Sequence, residues 1–403
     1  MLTGKKILIV TPRFPLPAKG ACEQDRLAGM LQLKNLGCEV MGISKIFSWQ
    51  DQSSIQAFAQ KNGIVVQTAP YQTEAQKTLK QKLFFYGRRL INPLFWDGAA
   101  YEYSHRGIKE MLAEVIAEYR PDLVWFDYTY LWPLYGLTKK RGIPIITRSL
   151  NFEPSHFIQE DGWSIINFFK AIAKCASEYL MAKDSNVIFS ITPQEEKIYN
   201  RFFSKRATNL PLRGLPKLIK AEREISDKKI LDVFFMGSTY NVVHNRRALE
   251  LVIKYIAPLA EKIAPNRFIF HVSGGKFPAK YRCYLNGKII YHGYVADLDE
   301  FLAKMDIALI PSIFGAGMQQ KIFEPLVRGI PLITSRRGIA VYPFNHAEHL
   351  LFAGSAEDFV KCLLKMQAVE LRRILSLNAI RLSQKLFSQE ALDAIIINQL
   401  NKL

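Results

Sequence analysis

Apolar runs typical of β-strands alternate with helix-like runs along almost the whole chain. In the first half the strand-like runs span residues 5–11, 39–44, 63–69, 121–128, 143–149 and 185–192. In the second half the pattern begins again, with runs at residues 230–237, 267–275, 288–295, 306–312 and 330–335. Because strands and helices that alternate in this way form parallel sheets covered by helices, the pattern predicts an α/β fold.

The segment between the two halves predicts a domain boundary. At 403 residues the chain exceeds the usual size of one domain. Residues 204–229 are rich in lysine, arginine and proline and have no clear periodicity. The stretches RGIPIITRS (141–149) and RGIPLITSR (328–336) are nearly identical, which favours two similar lobes. We predict a first domain at 1–204, a linker at 205–229, a second domain at 230–383 and a terminal amphipathic helix at 384–403.

The composition of the chain limits the cellular compartment and the binding partners that we expect. No run approaches the roughly 20 apolar residues that span a bilayer, and the apolar core of the first 15 residues is too short for a signal peptide. The five cysteines are scattered without paired spacing, so we expect a reducing, cytoplasmic environment. The net charge of +18 favours anionic partners, namely nucleic acid, an anionic membrane or a phosphate-bearing substrate.

Residues 77–96, KTLKQKLFFYGRRLINPLFW, combine five basic residues with aromatic and aliphatic ones. As a surface helix this segment could rest on anionic lipid, with Phe84, Phe85 and Trp96 below the headgroups. The alternative is a helix that packs on its own domain and keeps a solvated basic face. Both interpretations stay open, whereas nucleic acid is not expected because no recognised binding motif accompanies the charge.

The stretch GAGMQQKIFEPLVRG, residues 315–329, follows a strand-like run, so it lies at the carboxyl end of a parallel strand, where α/β sheets bind ligands. Proline is tolerated near a helix start, so Pro325 places that start near Lys321. The amides of residues 315–320 and the helix dipole then form an anion cradle that suits a diphosphate. Lys321 opposes the helix dipole, which suggests a role in binding. Glu324 is either a first-turn or capping acid or an acceptor for sugar hydroxyls.

Residues 292–335 resemble the donor-binding lobe of retaining GT-B glycosyltransferases of family four. The similarity extends to residues 233–258, 8–20, 145–153 and 186–202, with the motifs in the family's order and spacing. The resemblance implies GT-B architecture, with two Rossmann-like lobes facing each other across a cleft. It also implies that the terminal helix crosses back onto the first lobe.

The resemblance assigns most candidate site residues. It implies that Glu324 contacts the donor ribose and that Lys321 neutralises the diphosphate. It implies a donor site built from Gly20, Gly237, Ser238, His292, Gly293, Tyr294, Val295, Gly315, Ala316, Gly317, Met318 and Gln319. By the same resemblance, 292–295 would line the nucleobase pocket, 315–319 would bind the diphosphate through backbone amides, and Gly20 would face the diphosphate and acceptor from the first lobe.

Three positions depart from the family pattern. Ala316 stands where members often carry a glutamate. The loop STYNVVHNRR (238–247) lacks the usual arginine and lysine pair, leaving Asn241, His244, Asn245 and Arg246 as open candidates. The stretch SLNFE (149–153) replaces a frequent histidine, so Asn151 and Glu153 are the candidates on the acceptor side.

The resemblance implies a cytoplasmic retaining glycosyltransferase that moves a sugar from a nucleotide sugar to a saccharide or lipid-linked acceptor in polysaccharide or glycoconjugate synthesis. No cofactor and no metal are expected. Asp297 and Asp299 precede a helix-like run and are interpreted as capping residues rather than metal ligands. No pair of carboxylates suited to hydrolysis is identifiable. A nucleotide-sugar epimerase and a non-catalytic sugar- or partner-binding protein remain the alternatives.

Overall fold

The structure is a computed structural model that describes residues 2–18, 20–71, 78–203, 207–312 and 317–403. The chain divides into two compact units. Unit 1 contains Met1–Gly214 and Glu390–Leu403, and unit 2 contains Leu215–Gln389. Each unit has a parallel sheet of its own.

The sheet of unit 1 has seven parallel strands in the order β3-β2-β1-β4-β5-β6-β7. They are β1 Lys6–Thr11, β2 Glu39–Ile46, β3 Val65–Pro70, β4 Leu123–Phe126, β5 Ile145–Ser149, β6 Val187–Ser190 and β7 Ala207–Asn209. The helices of this unit that precede residue 214 are α1 Ala21–Asn35, α2 Gln52–Asn62, α3 Leu79–Ile91, α4 Gly98–Tyr103, α5 Arg106–Tyr119, α6 Tyr135–Lys139, α7 Glu153–Asp161, α8 Ile165–Asp184 and α9 Pro193–Phe202. A short 3₁₀ helix, Pro93–Trp96, follows α3.

The sheet of unit 2 has six strands in the order β10-β9-β8-β11-β12-β13, all paired in parallel. They are β8 Leu231–Thr239, β9 Phe268–Gly275, β10 Ile289–Gly293, β11 Ile307–Ile310, β12 Leu332–Thr334 and β13 Leu351–Phe352. Its helices, with the terminal helix that follows them, are α10 Val243–Leu251, α11 Ala257–Ile263, α12 Leu298–Ala303, α13 Gln320–Val327, α14 Ala356–Lys365, α15 Val369–Phe387 and α16 Gln389–Leu400.

The strands are continuously apolar because helices cover both faces of each sheet. In β1, Ile7 and Ile9 join a buried cluster with α1 and α16, whereas Leu8 and Val10 join the cluster formed with α5 and α8. The alternation of side chains along a strand therefore divides one apolar run between two cores. Among the helices of the described ranges, none has the length and apolarity needed to cross a bilayer.

The α/β prediction is confirmed, and every run predicted to be a strand forms one. Two strands were missed, β7 and β13, because stretches of three and two residues are too short to show periodicity. Strand β7 pairs with β6 inside the segment predicted to be a linker. Helix α16 packs on the core of unit 1 through Leu392, Ile396 and Leu400. Residue 384, where we placed the start of the terminal helix, lies within α15.

A buried ion network joins α1 to the sheet of unit 1. Asp25 accepts hydrogen bonds from Arg148 Nη2 at 3.0 Å and from Arg213 Nη2 at 2.8 Å, and Arg213 also lies 3.3 Å from Asp127. Burial alone would raise the pKa of Asp25, but the two guanidinium groups hold it below its ordinary value. A buried carboxylate is stable here only because it is paired and hydrogen-bonded.

Candidate functional site

The strand order of unit 2 creates a crevice between β8 and β11. The chain runs outward from β8 through β9 and β10 on one side, and then returns to β11 on the other. The loops that follow β8 and β11 therefore lead away from each other at the carboxyl edge of the sheet. In open α/β sheets this switch point is the place where ligands bind.

On the β8 side of this crevice, Gly237 of β8 packs closely against Gly274 of β9. Gly274, at the end of β9, has φ +139, and a Cβ atom on it would lie 2.1 Å from the carbonyl oxygen of Gly237. Tyr240 closes the same turn by donating a hydrogen bond from its hydroxyl to the Ser273 carbonyl at 2.6 Å. The sequence analysis predicted Gly237 but missed Gly274, although the GG pair that ends the strand was the available signal.

Among the four residues left open after β8, the structure places Asn245 in the crevice. Asn245 lies in the first turn of α10, is buried, and donates from Nδ2 to the Thr239 carbonyl at 3.1 Å. Its Nδ2 also lies 3.5 Å from Oγ of the exposed Ser238. Arg246 donates from Nη1 to the Asn241 carbonyl at 3.3 Å, which braces the turn before the helix.

On the β11 side, residues 313–316, which include Gly315 and Ala316, lie outside the described residues. Gly317 has φ +68, a left-handed conformation that suits glycine, and Met318 is buried. Gln319 is the N-cap position, and Gln320 begins α13. The predicted start near Lys321 is therefore confirmed within one residue. Our reasoning from Pro325 was wrong, because this proline lies inside the helix.

Lys321 connects the two sides of the crevice. Its ammonium Nζ donates a hydrogen bond to Asn245 Oδ1 at 2.8 Å. Within the described part of the chain, no carboxylate lies within ion-pair distance of this half-buried ammonium group. Burial lowers the pKa of Lys321 to about 8, because a charged group loses solvation without a compensating anion. The site thus holds a cation that is poorly neutralised by the described residues.

Glu324 is held by two side chains of its own helix. Its Oε1 accepts hydrogen bonds from Arg328 Nε at 3.1 Å and Nη2 at 2.9 Å, and its Oε2 accepts one from Gln320 Nε2 at 3.1 Å. Arg328 also pairs with Asp299 at 2.5 Å. The first-turn or capping interpretation of Glu324 is wrong, because Glu324 is the fifth residue of α13 and lies beyond its first turn. The sequence analysis missed Arg328, which the spacing of four residues on a helix could have revealed.

The segment predicted to line a nucleobase pocket begins with a histidine that is held in place. His292 Nε2 lies 2.9 Å from His271 Nδ1, and His271 Nε2 lies 3.0 Å from Asp232 Oδ1. Burial, followed by the neighbouring His271, lowers the pKa of His292. Tyr294 is exposed, Val295 is half-buried, and Gly293 has φ +68. Neither His271 nor Asp232 was predicted, because their contact depends on the register of three strands.

In unit 1, the candidate acceptor residues lie at the carboxyl edge of the sheet. Asn151 follows β5, and its Nδ2 lies 3.5 Å from the Tyr128 hydroxyl. Glu153 is buried at the start of α7 and accepts hydrogen bonds from the hydroxyls of Tyr128, at 2.8 Å, and Tyr130. Gly20 is the N-cap residue of α1, in the connection that follows β1. The structure thus brings Asn151 and Glu153 together around one tyrosine.

Two buried glutamates close to Glu153 should make the stability of unit 1 depend on pH. Burial raises the pKa of Glu178 to about 8 and that of Glu195 to about 7. Between the unfolded value near 4.5 and these folded values, the native state binds more protons than the unfolded state. Stability should therefore fall as the pH rises through this range, by ~1 kcal/mol or more.

The isosteric Glu178→Gln change tests this expectation. The amide cannot ionise, so the variant should lose less stability than the wild type between about pH 5 and pH 8. Urea denaturation at several pH values measures the difference. The exposed Glu110→Gln variant is the control, since Glu110 forms only a surface ion pair with Arg106. Parallel pH profiles for the wild type and Glu178→Gln would contradict the expectation.

The acidic stretch at residues 297–299 is a helix start. Asp297 is the N-cap of α12 and accepts a hydrogen bond from the Glu300 amide at 2.8 Å, which confirms the capping interpretation. Among the described residues, no group of three or more His, Cys, Asp or Glu side chains is placed to hold a metal ion. The metal-independent reaction remains a prediction.

A comparison with known protein families matches a segment of unit 2, the unit that contains the crevice. Residues 231–368 match the family model described as Glycosyl transferases group 1. Among curated proteins, none gives a significant match to the chain.

Solved structures resemble the chain over nearly its full length. Anabaena Alr3699/HepE in complex with UDP is 12% identical, with a TM-score of 0.67 over 99% of this chain and 100% of that one. Sucrose-phosphate synthase from Thermosynechococcus elongatus is 15% identical, with a TM-score of 0.67 over 99% and 98% of the two chains. A mutant of S. aureus TarM, solved in complex with fondaparinux, α-GlcNAc-glycerol and UDP, is 11% identical, with a TM-score of 0.67 over 98% and 100%. At these identities the likeness shows the fold, which is that of GT-B glycosyltransferases with two Rossmann-like lobes.

Proposed function

We propose that this chain, which carries a glycosyl transferases group 1 domain at residues 231–368, transfers a sugar from a nucleotide sugar to a saccharide or lipid-linked acceptor. The observation that carries the proposal is the hydrogen bond of 2.8 Å between Lys321 and Asn245. It joins the two elements that flank the switch point of the sheet. A diphosphate bound there would meet an ammonium group that lacks a carboxylate partner among the described residues.

The start of α13 complements such an anion. The first amides of a helix have no carbonyl partner within the helix, and the helix dipole places partial positive charge at this end. Lys321, one residue into α13, adds a full positive charge. Helix amides together with a cation are a recurrent phosphate-binding arrangement. We therefore propose that the diphosphate binds Lys321 and the backbone amides at the start of α13, and that the predicted segment 315–319, of which 315 and 316 lie outside the described residues, completes the site.

The same groups support catalysis. In the transfer the bond from the sugar to the diphosphate breaks, and negative charge develops on the departing phosphate oxygen. Preorganised amides and an ammonium group stabilise that charge. We propose that they do so in place of a metal ion, and that the acceptor attacks from the face the diphosphate leaves. A departing phosphate oxygen then assists removal of the acceptor proton, and the anomeric configuration is retained.

Glu324 is proposed to accept hydrogen bonds from the donor ribose. A carboxylate offers about four acceptor positions. Arg328 and Gln320 occupy three of them, with two on Oε1 and one on Oε2. Arg328 thus fixes the orientation of Glu324 and leaves Oε2 with capacity for a ligand hydroxyl.

The remaining assignments follow from position in the fold. His292–Val295 would line the nucleobase pocket, Gly237 and Ser238 would border the donor, and Asn151 and Glu153 would contact the acceptor. HepE has been solved with UDP-glucose and TarM with UDP, which makes a uridine nucleotide the first donor class to test. We propose a cytoplasmic role in polysaccharide or glycoconjugate synthesis.

The variant Glu324→Gln separates ribose recognition from diphosphate recognition. We expect its affinity for nucleoside diphosphates to fall about tenfold, because a neutral amide is a weaker acceptor than a carboxylate. Affinity for inorganic pyrophosphate, which has no ribose, should change by less than about twofold. Isothermal titration calorimetry measures both, with Glu300→Gln, at an exposed position of α12, as the control. Equal losses of affinity for nucleoside diphosphates and for pyrophosphate would show that Glu324 does not bind the ribose.

The function itself is tested by screening nucleotide sugars with ligand-observed NMR and then following the product. The proposal predicts binding of one nucleotide-sugar class, and acceptor-dependent transfer with the donor's anomeric configuration kept in the product. An altered sugar formed without acceptor would identify an epimerase. Absence of binding across the nucleotide-sugar panel would contradict the transferase.

A further inference from the structure

Among the described residues of unit 1, the five most exposed large apolar side chains lie on α3 and at or just before the start of α8. Helix α3 exposes Leu79, Leu83, Tyr86, Leu90 and Ile91, of which the last two are 88% and 87% exposed. Large apolar side chains are seldom exposed together in a soluble domain without a partner. This part of unit 1 therefore offers a surface that water solvates poorly.

Helix α8 changes character halfway along its 20 residues. Its buried residues all lie from Ala173 onward, where the helix packs into unit 1. The preceding turns expose a different set, which consists of Trp163, Ile165, Ile166, Phe168, Phe169 and Ile172. Trp163 is 74% exposed and Ile165 is 81% exposed. The first half of α8 thus presents an apolar stripe that packing within the unit does not account for.

The two helices form one continuous surface. The 3₁₀ helix Pro93–Trp96 packs between them, and the Trp96 and Phe169 rings lie 6.2 Å apart. Arg89 lies over the Tyr86 ring at 4.7 Å and over the Trp96 ring at 5.4 Å. We define the apolar-basic face as α3, Pro93–Trp96 and residues 163–172. The sequence analysis predicted only the part of this face within residues 77–96, and it left open the alternative that this segment is a helix packed on its own domain.

The lipid contact predicted for Phe84 and Phe85 stays a prediction, because the side chains of these two residues lie outside the part of the chain that the structure describes. The third predicted contact, Trp96, is half-buried between the two helices. The face is therefore defined by the exposed side chains of α3 and α8 that the structure does describe.

The charge of this face has one sign. Residues 78–96 contain Lys80, Lys82, Arg88 and Arg89 and no aspartate or glutamate. Residues 163–172 contain Lys170 and likewise no acidic residue, although Glu160 and Asp161 shortly precede them. Cations that surround exposed aromatic and aliphatic side chains match the headgroups and acyl boundary of an anionic bilayer.

A pocket of about 360 Å³ adjoins the face and extends its positive charge. Arg88 and Phe95 line it from the face, and His105, Arg106 and Lys109 line it from the start of α5. One carboxylate, Glu110, also lines it and pairs with Arg106 at 2.6 Å. The lining is cationic on balance, so a lipid phosphate could enter it beside the apolar side chains.

We propose that the apolar-basic face docks on the surface of a membrane that contains anionic lipid. A second copy of the chain is a poorer occupant, because a twofold contact would place the same cationic surface against itself. Tryptophan and tyrosine are favoured at the depth of lipid headgroups, which suits Trp163 and Tyr86. The inference goes beyond the proposed transfer reaction and does not rest on it, since docking requires neither donor nor acceptor.

Vesicle co-sedimentation without nucleotide tests the proposal. We expect binding to vesicles with about 30% phosphatidylglycerol to exceed binding to pure phosphatidylcholine by at least about tenfold, and to weaken with added salt. The double variant Ile165→Glu, Phe169→Glu should lose at least about tenfold of this binding. The control Tyr255→Glu, Ile263→Glu adds the same charge at exposed apolar positions of unit 2 and should bind as the wild type does.

Tryptophan quenching by brominated lipid locates the contact. Quenching should fall in Trp163→Phe and persist in Trp49→Phe, because Trp49 is exposed but is not part of the apolar-basic face. Circular dichroism melts establish that each variant is folded. Equal binding to both vesicle types, or binding that the Ile165→Glu, Phe169→Glu variant retains, would overturn the proposal. A dimer in ultracentrifugation that this variant dissociates would instead assign the face to a second copy.

Discussion

Replacing Lys321 with methionine should stabilise the protein and remove most of its affinity for nucleoside diphosphates. Burial lowers the pKa of Lys321 to about 8, so its charge at neutral pH is held against a desolvation cost. A methionine of similar length avoids that cost but leaves Asn245 Oδ1 without its hydrogen bond. The net gain should be ~1 kcal/mol, because the relief of desolvation exceeds the loss of one hydrogen bond.

The ligand-binding effect of Lys321→Met should be larger than the effect on stability. A charge-assisted hydrogen bond to a phosphate contributes roughly 1.5–3 kcal/mol, so affinity should fall by about 10- to 100-fold. Turnover should fall on the order of 100-fold or more, because charge develops on the diphosphate in the transition state. Calorimetry with UDP, ADP, GDP and pyrophosphate, thermal melts and turnover assays measure these changes.

The control for this variant is Lys304→Met, at an exposed lysine paired with Glu300 in the same unit. It should leave affinity unchanged within about twofold, since surface ion pairs contribute little. A Lys321→Met protein that is less stable and binds normally would make Lys321 a structural residue. That pair of results would contradict the site assignment.

Replacing Gly274 with alanine should destabilise unit 2 strongly. The added Cβ would lie 2.1 Å from the Gly237 carbonyl oxygen, and Gly274 has φ +139, which other residues rarely adopt. Backbone strain and overpacking each cost roughly 1–3 kcal/mol, so we expect a loss of ~3 kcal/mol or more. Because Gly237 lies near the end of β8, relief of the clash should also displace the turn that leads to Asn245 in α10.

Gly287→Ala is the matched control for this change. No atom lies within 4 Å of a Cβ built on Gly287, and its φ is not in the left-handed region. Its effect on stability should stay within about 0.5 kcal/mol. Scanning calorimetry should show a lower unfolding temperature for Gly274→Ala alone, by ~6 °C or more. Equal unfolding temperatures for the two variants would contradict the packing described for the β8–β9 edge.

The fold was predictable because its signal is local and repeated. Most runs of β-branched and aliphatic residues are followed by a helix, so the sequence contains the α/β pattern many times over. The missed strands β7 and β13 contain three and two residues, too few to show a period. The end of α13 and the start of β12 were similarly accessible, because Gly329 and Pro331 mark these positions.

The site was predictable only in part, because its decisive contacts join distant residues. Lys321 and Asn245 are 76 positions apart, and nothing in the local sequence of either shows the other. The contact of His271 with Asp232 and His292 depends on strand register, which the sequence does not display. Pairs on one helix, such as Glu324 with Arg328, follow a fixed spacing and were accessible to prediction.

The central claim, that a diphosphate binds against Lys321, is tested most directly by proton uptake on binding. The free protein has a Lys321 pKa of about 8, whereas a bound diphosphate must keep the lysine charged. At about pH 8.5, calorimetry of the preferred nucleoside diphosphate in two buffers of different ionisation enthalpy should therefore show uptake of more than roughly half a proton. Lys321→Arg, which stays charged, should bind without that uptake. Equal proton uptake by the wild type and Lys321→Arg would contradict the claim.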